Sequence, residues 1–153
     1  MDIKYTTGWQ TAIKRIKLSN PIKWLISHKY LSHDNIDIKI LDYGSGRGQD
    51  AKILAIDQYD PYWYPIELQQ TFYDIILCTY VLNVLALDER EKTIDKIMNY
   101  IKPHGIVYFS VRRDIKKPKP GKNCTQWPVY LDFPILYENR SFCIYEARKD
   151  VTH

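Results

Sequence analysis

The sequence holds no run of about 18 apolar residues and no charged-then-apolar leader with a small-residue cleavage site, so neither a membrane-spanning helix nor a secretory signal peptide is expected. Its cysteines, Cys78, Cys124 and Cys143, are odd in number and scattered, which argues against a disulfide framework and suits reduced thiols in a cytoplasm. The histidines, His28, His33, His104 and His153, share no metal-ligand spacing with one another or with the cysteines, and no metal is expected. Glycine is scarce, 6 in 153 residues, yet three of them stand at positions 44, 46 and 48. A 45% apolar content at this length supports one core and a single domain over residues 1–153.

The glycine cluster organises everything around it. Ile36, Ile38 and Ile40 alternate with polar residues and predict a strand running into Leu41-Asp42-Tyr43. Gly44, Gly46 and Gly48 then require a backbone that turns tightly with nothing projecting from it, so that a ligand can lie directly on the main chain. Gln49 stands where a G-x-G-x-x-G fingerprint needs its last glycine, which argues against a dinucleotide. An ordinary strand-exit turn would use glycine too.

Upstream, Trp9, Ala12, Ile13 and Ile16 have helical spacing over residues 8–17. Asn20 as N-cap and Pro21 at the first helical position predict a second helix that turns Ile22, Leu25 and Ile26 inward and ends near Tyr30. These helices occupy residues 1–35, and the sheet core occupies residues 36–150. Downstream of the glycines, Gln49 to Leu54 has room for one or two helical turns, and Ala55 to Tyr59 for a short strand. An acidic residue at that strand's exit suits the two hydroxyls of a ribose, because a carboxylate can accept both hydrogen bonds. Asp60 is the first choice and Asp57 the alternative, and either residue would also serve a turn or cap. Tyr62 and Trp63 stand where they can flank an adenine, and core packing accounts for them equally well.

Tyr73 to Tyr80 is a near-continuous apolar run of the kind found in strands buried on both faces, and it emerges into Thr79 to Leu85. Asp88, Glu89 and Glu91 put negative charge at the start of a helix whose apolar face is Ile94, Ile97, Met98 and Ile101, stopped by Pro103 and Gly105. Ile106 to Val111 is the next strand. Arg112 to Gln126 reads as an exposed loop, and Val129 to Phe133 with Phe142 to Glu146 as a closing antiparallel pair. The order of elements gives a compact α/β sheet.

The net charge of +4 is unevenly spread. Arg112, Arg113, Lys116, Lys117, Lys119 and Lys122 face Asp114 alone within residues 112–122, and Lys4, Lys14, Arg15, Lys17, Lys23 and Lys29 face Asp2 within the first 30. Either cluster is accounted for by a solvated surface. Together they would form an electropositive rim suited to nucleic acid or another polyanion.

The combination Thr11-Ala12-Ile13-Lys14-Arg15, Ser19-x-Pro21, Asp42-Tyr43-Gly44-x-Gly46-Arg47-Gly48, Asp60-Pro61 and Tyr80-Val81-Leu82-Asn83-Val84 resembles short class I S-adenosylmethionine (SAM) dependent methyltransferases. It is similar to methyltransferases associated with DNA phosphorothioation clusters, and to small phage and bacterial relatives that share Val111-Arg112-Arg113-Asp114, over roughly residues 11–148. The resemblance implies an abbreviated Rossmann-like sheet, mostly parallel with a C-terminal antiparallel hairpin and helices on both faces. It implies a bacterial or infected-host cytoplasm.

SAM is the implied methyl donor, with Gly44 and Gly46 under its methionine portion, Asp42 near its ammonium and Asp60 on its ribose. Tyr43, Ser45, Gly48, Pro61, Tyr62, Thr79 and Tyr80 complete the implied cofactor site. Tyr80 and Asn83 are the implied catalytic candidates, and a backbone hydrogen bond at a helix start is the alternative for Asn83. Arg112, Arg113, Lys116 and Lys117 would position the acceptor. The sequence departs from the family in its short helix after the glycines, in the lack of an evident third strand and in His104 where a second glycine is common. Asp60-Pro61-Tyr62-Trp63 also lacks the second proline of the Asp-Pro-Pro-Tyr box of DNA amino-methylating enzymes. A different class of function, a non-catalytic SAM-binding or SAM-sequestering module active against host restriction, predicts the same cofactor site without turnover.

Overall fold

The computed structural model describes residues 18–32, 37–46, 48–122 and 124–149. The predicted helix over 8–17, the basic residues at 4, 14, 15 and 17, and Arg47 lie outside the described residues. The first described helix, α1, spans Asn20–Ser27, one residue earlier than expected at its start and three shorter at its end. Ser19, not Asn20, is the N-cap, and the Asp50 carboxylate accepts hydrogen bonds from both the Ser19 amide and its hydroxyl, at 3.1 and 2.9 Å. The C-terminal turn closes early because Lys29 takes a left-handed backbone.

Strand β1 (Ile40–Tyr43) leads through the glycines into α2 (Gln49–Leu54), and β2 (Asp57–Tyr59) follows within three residues. Strand β3 (Tyr73–Thr79) exits into a 3-10 turn at Leu82–Val84 and then α3 (Leu87–Tyr100). Strand β4 (Ile101–Arg112) starts where α3 stops, five residues before the predicted start, because Ile101 already pairs with Tyr73 ahead of a register shift. Two short pieces follow, β5 (Lys119–Pro120) and β6 (Thr125–Gln126), and then β7 (Ile135–Glu138) and β8 (Phe142–Arg148).

The strands form a six-stranded sheet in the order β2-β1-β3-β4-β8-β7. Pairing is parallel from β2 to β4 and antiparallel through β8 and β7. The architecture is therefore a mainly parallel Rossmann-like sheet with an antiparallel hairpin. Both faces are covered. Ile76, Cys78, Val107, Phe109, Val111, Cys143 and Tyr145 pack with Ile97 of α3 on one side, and Leu77, Tyr108 and Ile144 pack with Ile22 and Leu25 of α1 and Ile53 and Leu54 of α2 on the other. This alternation is what strands buried on both faces require. No described helix is long and apolar enough to cross a membrane, and the described residues hold no group of three or more His, Cys, Asp or Glu side chains able to hold a metal ion.

Two expectations for the C-terminal third are corrected. The hairpin partner of β8 is Ile135–Glu138, not Val129 to Phe133. The earlier run is apolar because it fills core without pairing: Val129 is buried and Phe133 stacks on Phe109 with ring centroids 5.6 Å apart. The basic stretch from Arg112 is also not a simple exposed loop, since Arg112 ends β4, Arg113 and Ile115 are buried, and β5 pairs with β6.

Arg113 locks this region together. Its guanidinium donates to Glu138 Oε2 at 2.5 Å, to the Val129 carbonyl at 2.6 Å and to the Tyr145 hydroxyl at 2.6 Å, and lies over the Tyr130 ring at 4.6 Å. Replacing Arg113 by Ala should lower unfolding free energy by roughly 1–3 kcal/mol through buried acceptors left unpaired, whereas Arg112→Ala should cost about 0–1 kcal/mol, as expected of a partly exposed pair. Urea unfolding of the two variants checks this, and equal losses would contradict it.

Candidate active site

Parallel pairing sends the exits of β1, β2, β3 and β4 to the same edge of the sheet, where open α/β sheets assemble their sites. Gly44, Gly46 and Gly48 all have positive φ, at 77°, 60° and 82°, a region costly for side chains with a Cβ. Their surroundings differ. A Cβ on Gly44 would strike Val81, and one on Gly48 would strike Gln58, so these two glycines let the chain pack closely on its own neighbours. A Cβ on Gly46 would meet nothing within 4 Å. Gly46 is therefore the position where the loop lies open to a ligand.

The loop is held from β2. The Gly44 and Ser45 amides donate to the Tyr59 carbonyl at 2.7 and 3.0 Å, and the Gly46 amide donates to Asp60 Oδ2 at 2.8 Å. Asp60 Oδ1 accepts the Tyr62 and Trp63 amides at 2.9 and 3.0 Å. Three of the roughly four lone-pair sites of this carboxylate are thus occupied by backbone, which leaves Oδ2 able to accept one further hydroxyl instead of two. Asp57 lies elsewhere: it pairs with Leu41, two residues short of the strand's exit, and accepts the hydroxyl of Tyr73, the first residue of β3, at 2.7 Å. It faces away from the glycine edge.

Pro61, Tyr62 and Trp63 form the tip of the turn that Asp60 holds. Tyr62 is 79% exposed and Trp63 47%, with edge-on rings 5.0 Å apart, so the core-packing alternative does not describe them. Tyr43 is the reverse case. Its side chain is buried on the α3 face against Tyr59, and only its backbone borders the glycine loop.

Asp42 is the buried acid of the site. It is 5% exposed, and burial first, then the nearby Asp50 and Asp60 carboxylates, push its pKa up to about 8. At the same edge lie buried side-chain oxygens, of which Ser45 and Thr79 were expected in the cofactor site and Ser110 and Gln58 were not. The Ser45, Thr79, Ser110 and Gln58 side chains each bury an oxygen with no hydrogen-bond partner among the described residues. Thr79 and Ser110 are register partners on β3 and β4. Only the pairing reveals them as neighbours.

Tyr80 follows Thr79 with φ 61°, a strained backbone for a bulky residue, fixed by its amide's 2.8 Å bond to the Ser110 carbonyl. Burial raises its hydroxyl pKa, with Arg112 acting against that shift and Asp114 and Asp50 adding to it. Asn83, expected as a catalytic candidate, is fully buried, and its amide group is given to backbone: Nδ2 donates to the Trp127 carbonyl at 2.8 Å and Oδ1 accepts the Arg112 amide at 2.7 Å. Arg112 and Arg113, expected on the acceptor, are also engaged internally. Arg112 pairs with Asp114 at 2.6 Å, and Arg113 is the buried lock described above. Lys116 and Lys117 are exposed beyond them.

Because the fold raises the pKa of Asp42 above its unfolded value of 3.8, its neutral form is the one that suits the folded chain. The associated stability is complete below about pH 4 and is lost as pH rises through about 8. Thermal or urea unfolding of the protein without ligands should show that decline, and Asp42→Asn should flatten it. An unchanged profile in the variant would place the raised carboxyl elsewhere.

Over residues 24–148 the sequence matches the family described as "Methyltransferase domain". No curated protein matches the chain. Among solved structures, a protein from Pyrococcus horikoshii OT3 superposes with a TM-score of 0.58 at 8% identity, covering 89% of this chain and 94% of that one. The 1,6-didemethyltoxoflavin-N1-methyltransferase of Burkholderia thailandensis, with bound 1,6-didemethyltoxoflavin and S-adenosylhomocysteine, superposes with a TM-score of 0.60 at 15% identity, covering 85% and 77%. The fold is shared with both, and by the family match over most of its length the chain belongs to the methyltransferase domain family.

Proposed function

We propose that this protein transfers a methyl group from S-adenosylmethionine to an acceptor held beside Tyr80 at the glycine edge of the sheet. The observation that carries this reading is the positive-φ glycine loop at the exit of β1, where Gly46 faces open space and its amide is held by Asp60, with the buried Asp42 carboxyl two residues before the first glycine. Family membership supports methyl transfer, and the Burkholderia neighbour's S-adenosylhomocysteine, the product left when SAM gives up its methyl group, supports SAM as cofactor.

The residues fit the group. Asp42 offers a carboxyl to the α-ammonium, Gly46 and the Ser45 and Thr79 hydroxyls border the methionine portion, and Asp60 keeps one acceptor site for a ribose hydroxyl. Tyr62 and Trp63 offer exposed rings for the adenine. When bound, the cofactor supplies a methyl group already activated by its sulfonium, so the chain's own work is alignment and exclusion of water. Tyr80 takes the catalytic place: it stands at the exit of β3 with its backbone held, and its half-buried hydroxyl, whose pKa burial raises, is a donor that can orient an acceptor atom. Asn83 acts through position, fixing the segments on either side of Tyr80.

Calorimetry should give SAM binding by the wild type and none by Gly46→Val, whose side chain would fill the open volume. Asp60→Ala should lose roughly 1.5–3 kcal/mol of binding and Asp57→Ala little; the opposite ranking would move the ribose to Asp57. Since a cation beside Asp42 favours its ionised form, binding near pH 7 should release about one proton, measurable from the buffer dependence of the enthalpy. Acceptor-dependent transfer of radiolabelled methyl from SAM into a fractionated lysate tests turnover. Binding without any such transfer would replace this reading with the sequestering one.

A further inference from the structure

We infer that the β5–β6 ribbon with its approach, residues 114–122 and 124–126, grips the phosphodiester backbone of a nucleic acid and lays the strand along the Tyr80 edge. The inference rests on the methyl-transfer reading only for what then happens to that strand. The ribbon itself is built to hold a charge pattern in place. Antiparallel pairing of Lys119 with Gln126 and of Pro120 with Thr125, closed by the Gly121 amide on the Cys124 carbonyl at 2.9 Å, gives it a defined shape, and Pro118 and Pro120 restrict the chain further.

Both of its ends are fastened to one residue. Asn83 Oδ1 accepts the Arg112 amide at the ribbon's entry, while at its exit Asn83 Nδ2 donates to the Trp127 carbonyl and the Asn83 carbonyl accepts the Trp127 amide at 2.7 Å. Since Asn83 lies three positions after Tyr80, the ribbon is tied to the turn that carries the catalytic candidate. An arm needed only for solubility would not require a buried residue dedicated to both of its ends.

Most of its positive charge is left for a partner, Lys119 alone among its lysines acting on the Asp114 carboxylate. Arg112 and Asp114 neutralise each other, whereas Lys116, Lys117, Lys119 and Lys122 are exposed and form no ion pair among the described residues. Lys116, Lys117 and Lys119 line a hollow of ≈ 400 Å³ together with Ile115, Pro118, Pro120 and Asp114, whose carboxylate is paired with Arg112. A hollow with aliphatic walls and ammonium groups suits a nucleotide unit, its sugar or base against the apolar wall and its phosphates on the lysines. Lysine, a compact charge without the planar fork of arginine, suits phosphate contact without base readout.

The test is fluorescence anisotropy without cofactor, using mixed-sequence single-stranded DNA, its duplex and the matching RNA over salt from about 50 to about 200 mM. The wild type should bind with a log–log salt slope of roughly −3 or steeper, a loss on the order of fifty- to a hundredfold across that range. A variant with Lys116, Lys117 and Lys119 changed to Ser should lose about two to three units of slope. A control variant of the same charge, with the exposed Lys39, Lys92 and Lys96 changed to Ser, should lose less than about one. The polymer bound most tightly identifies the source of the phosphates. Equal slopes for the two variants, or no binding of any of the three polymers by the wild type, would overturn the inference and leave the methyl-transfer reading standing. Failure of SAM to bind by calorimetry would do the reverse.

Discussion

Parallel hydrogen bonding of β1 between β2 and β3 is the constraint on which the rest of this molecule depends. With the parallel pairing of β3 to β4 it brings four strand exits to one edge, and backbone groups there run out of ladder partners. The chain answers with side chains that serve as backbone partners. Asp60 takes three amides from the glycine loop and its own turn, and Asn83 takes up the ends of the segment between β4 and Trp127. Both residues have the chemistry of site residues, but much of their hydrogen-bonding capacity goes into building the site.

That arrangement separates the two halves of the edge. Around the glycine loop the edge carries open space at Gly46, the buried acid Asp42 and buried hydroxyls without partners among the described residues. Beyond Tyr80 the surface is an exposed basic ribbon. Tyr80 is the hinge of this geometry: its φ of 61° is tolerated because the Ser110 carbonyl holds its amide and Asn83, three residues on, fixes the turn.

The molecule is also economical at its outer edge. The sheet ends at the three-residue β2, and no strand lies beyond it among the described residues. In place of another strand, residues 60–66 fold back as a turn, with Asp60 bridging to Tyr64 and the aromatic tip exposed. The short α2 follows from the same economy, since a helix of six residues is enough to bring Ile53 and Leu54 over Leu77.

By itself the sequence determined the local features. Glycine at every second position from 44, the apolar run from Tyr73 and the helical face of Ile94, Ile97 and Met98 are encoded within a few residues, and the elements formed where those patterns stand, whereas β1 begins only at Ile40, the last residue of the Ile36, Ile38 and Ile40 alternation, with Ile36 outside the described residues. The family resemblance and the glycine loop needed nothing more. Tertiary structure alone decided which polar groups are spent and which are free. Arg112 and Arg113 are adjacent basic residues in the sequence, yet one pairs with Asp114 at the surface while the other is buried against Glu138, Val129 and Tyr145, residues 16 to 32 positions away. Val129 to Phe133 reads as a strand because core filling and strand pairing demand the same apolar residues, and only the competition with Ile135–Glu138 for the edge of β8 separates them. Thr79 was legible from the family resemblance, but Ser110 carries no signal until parallel pairing sets it beside Thr79, because register is a relation between strands and belongs to neither one.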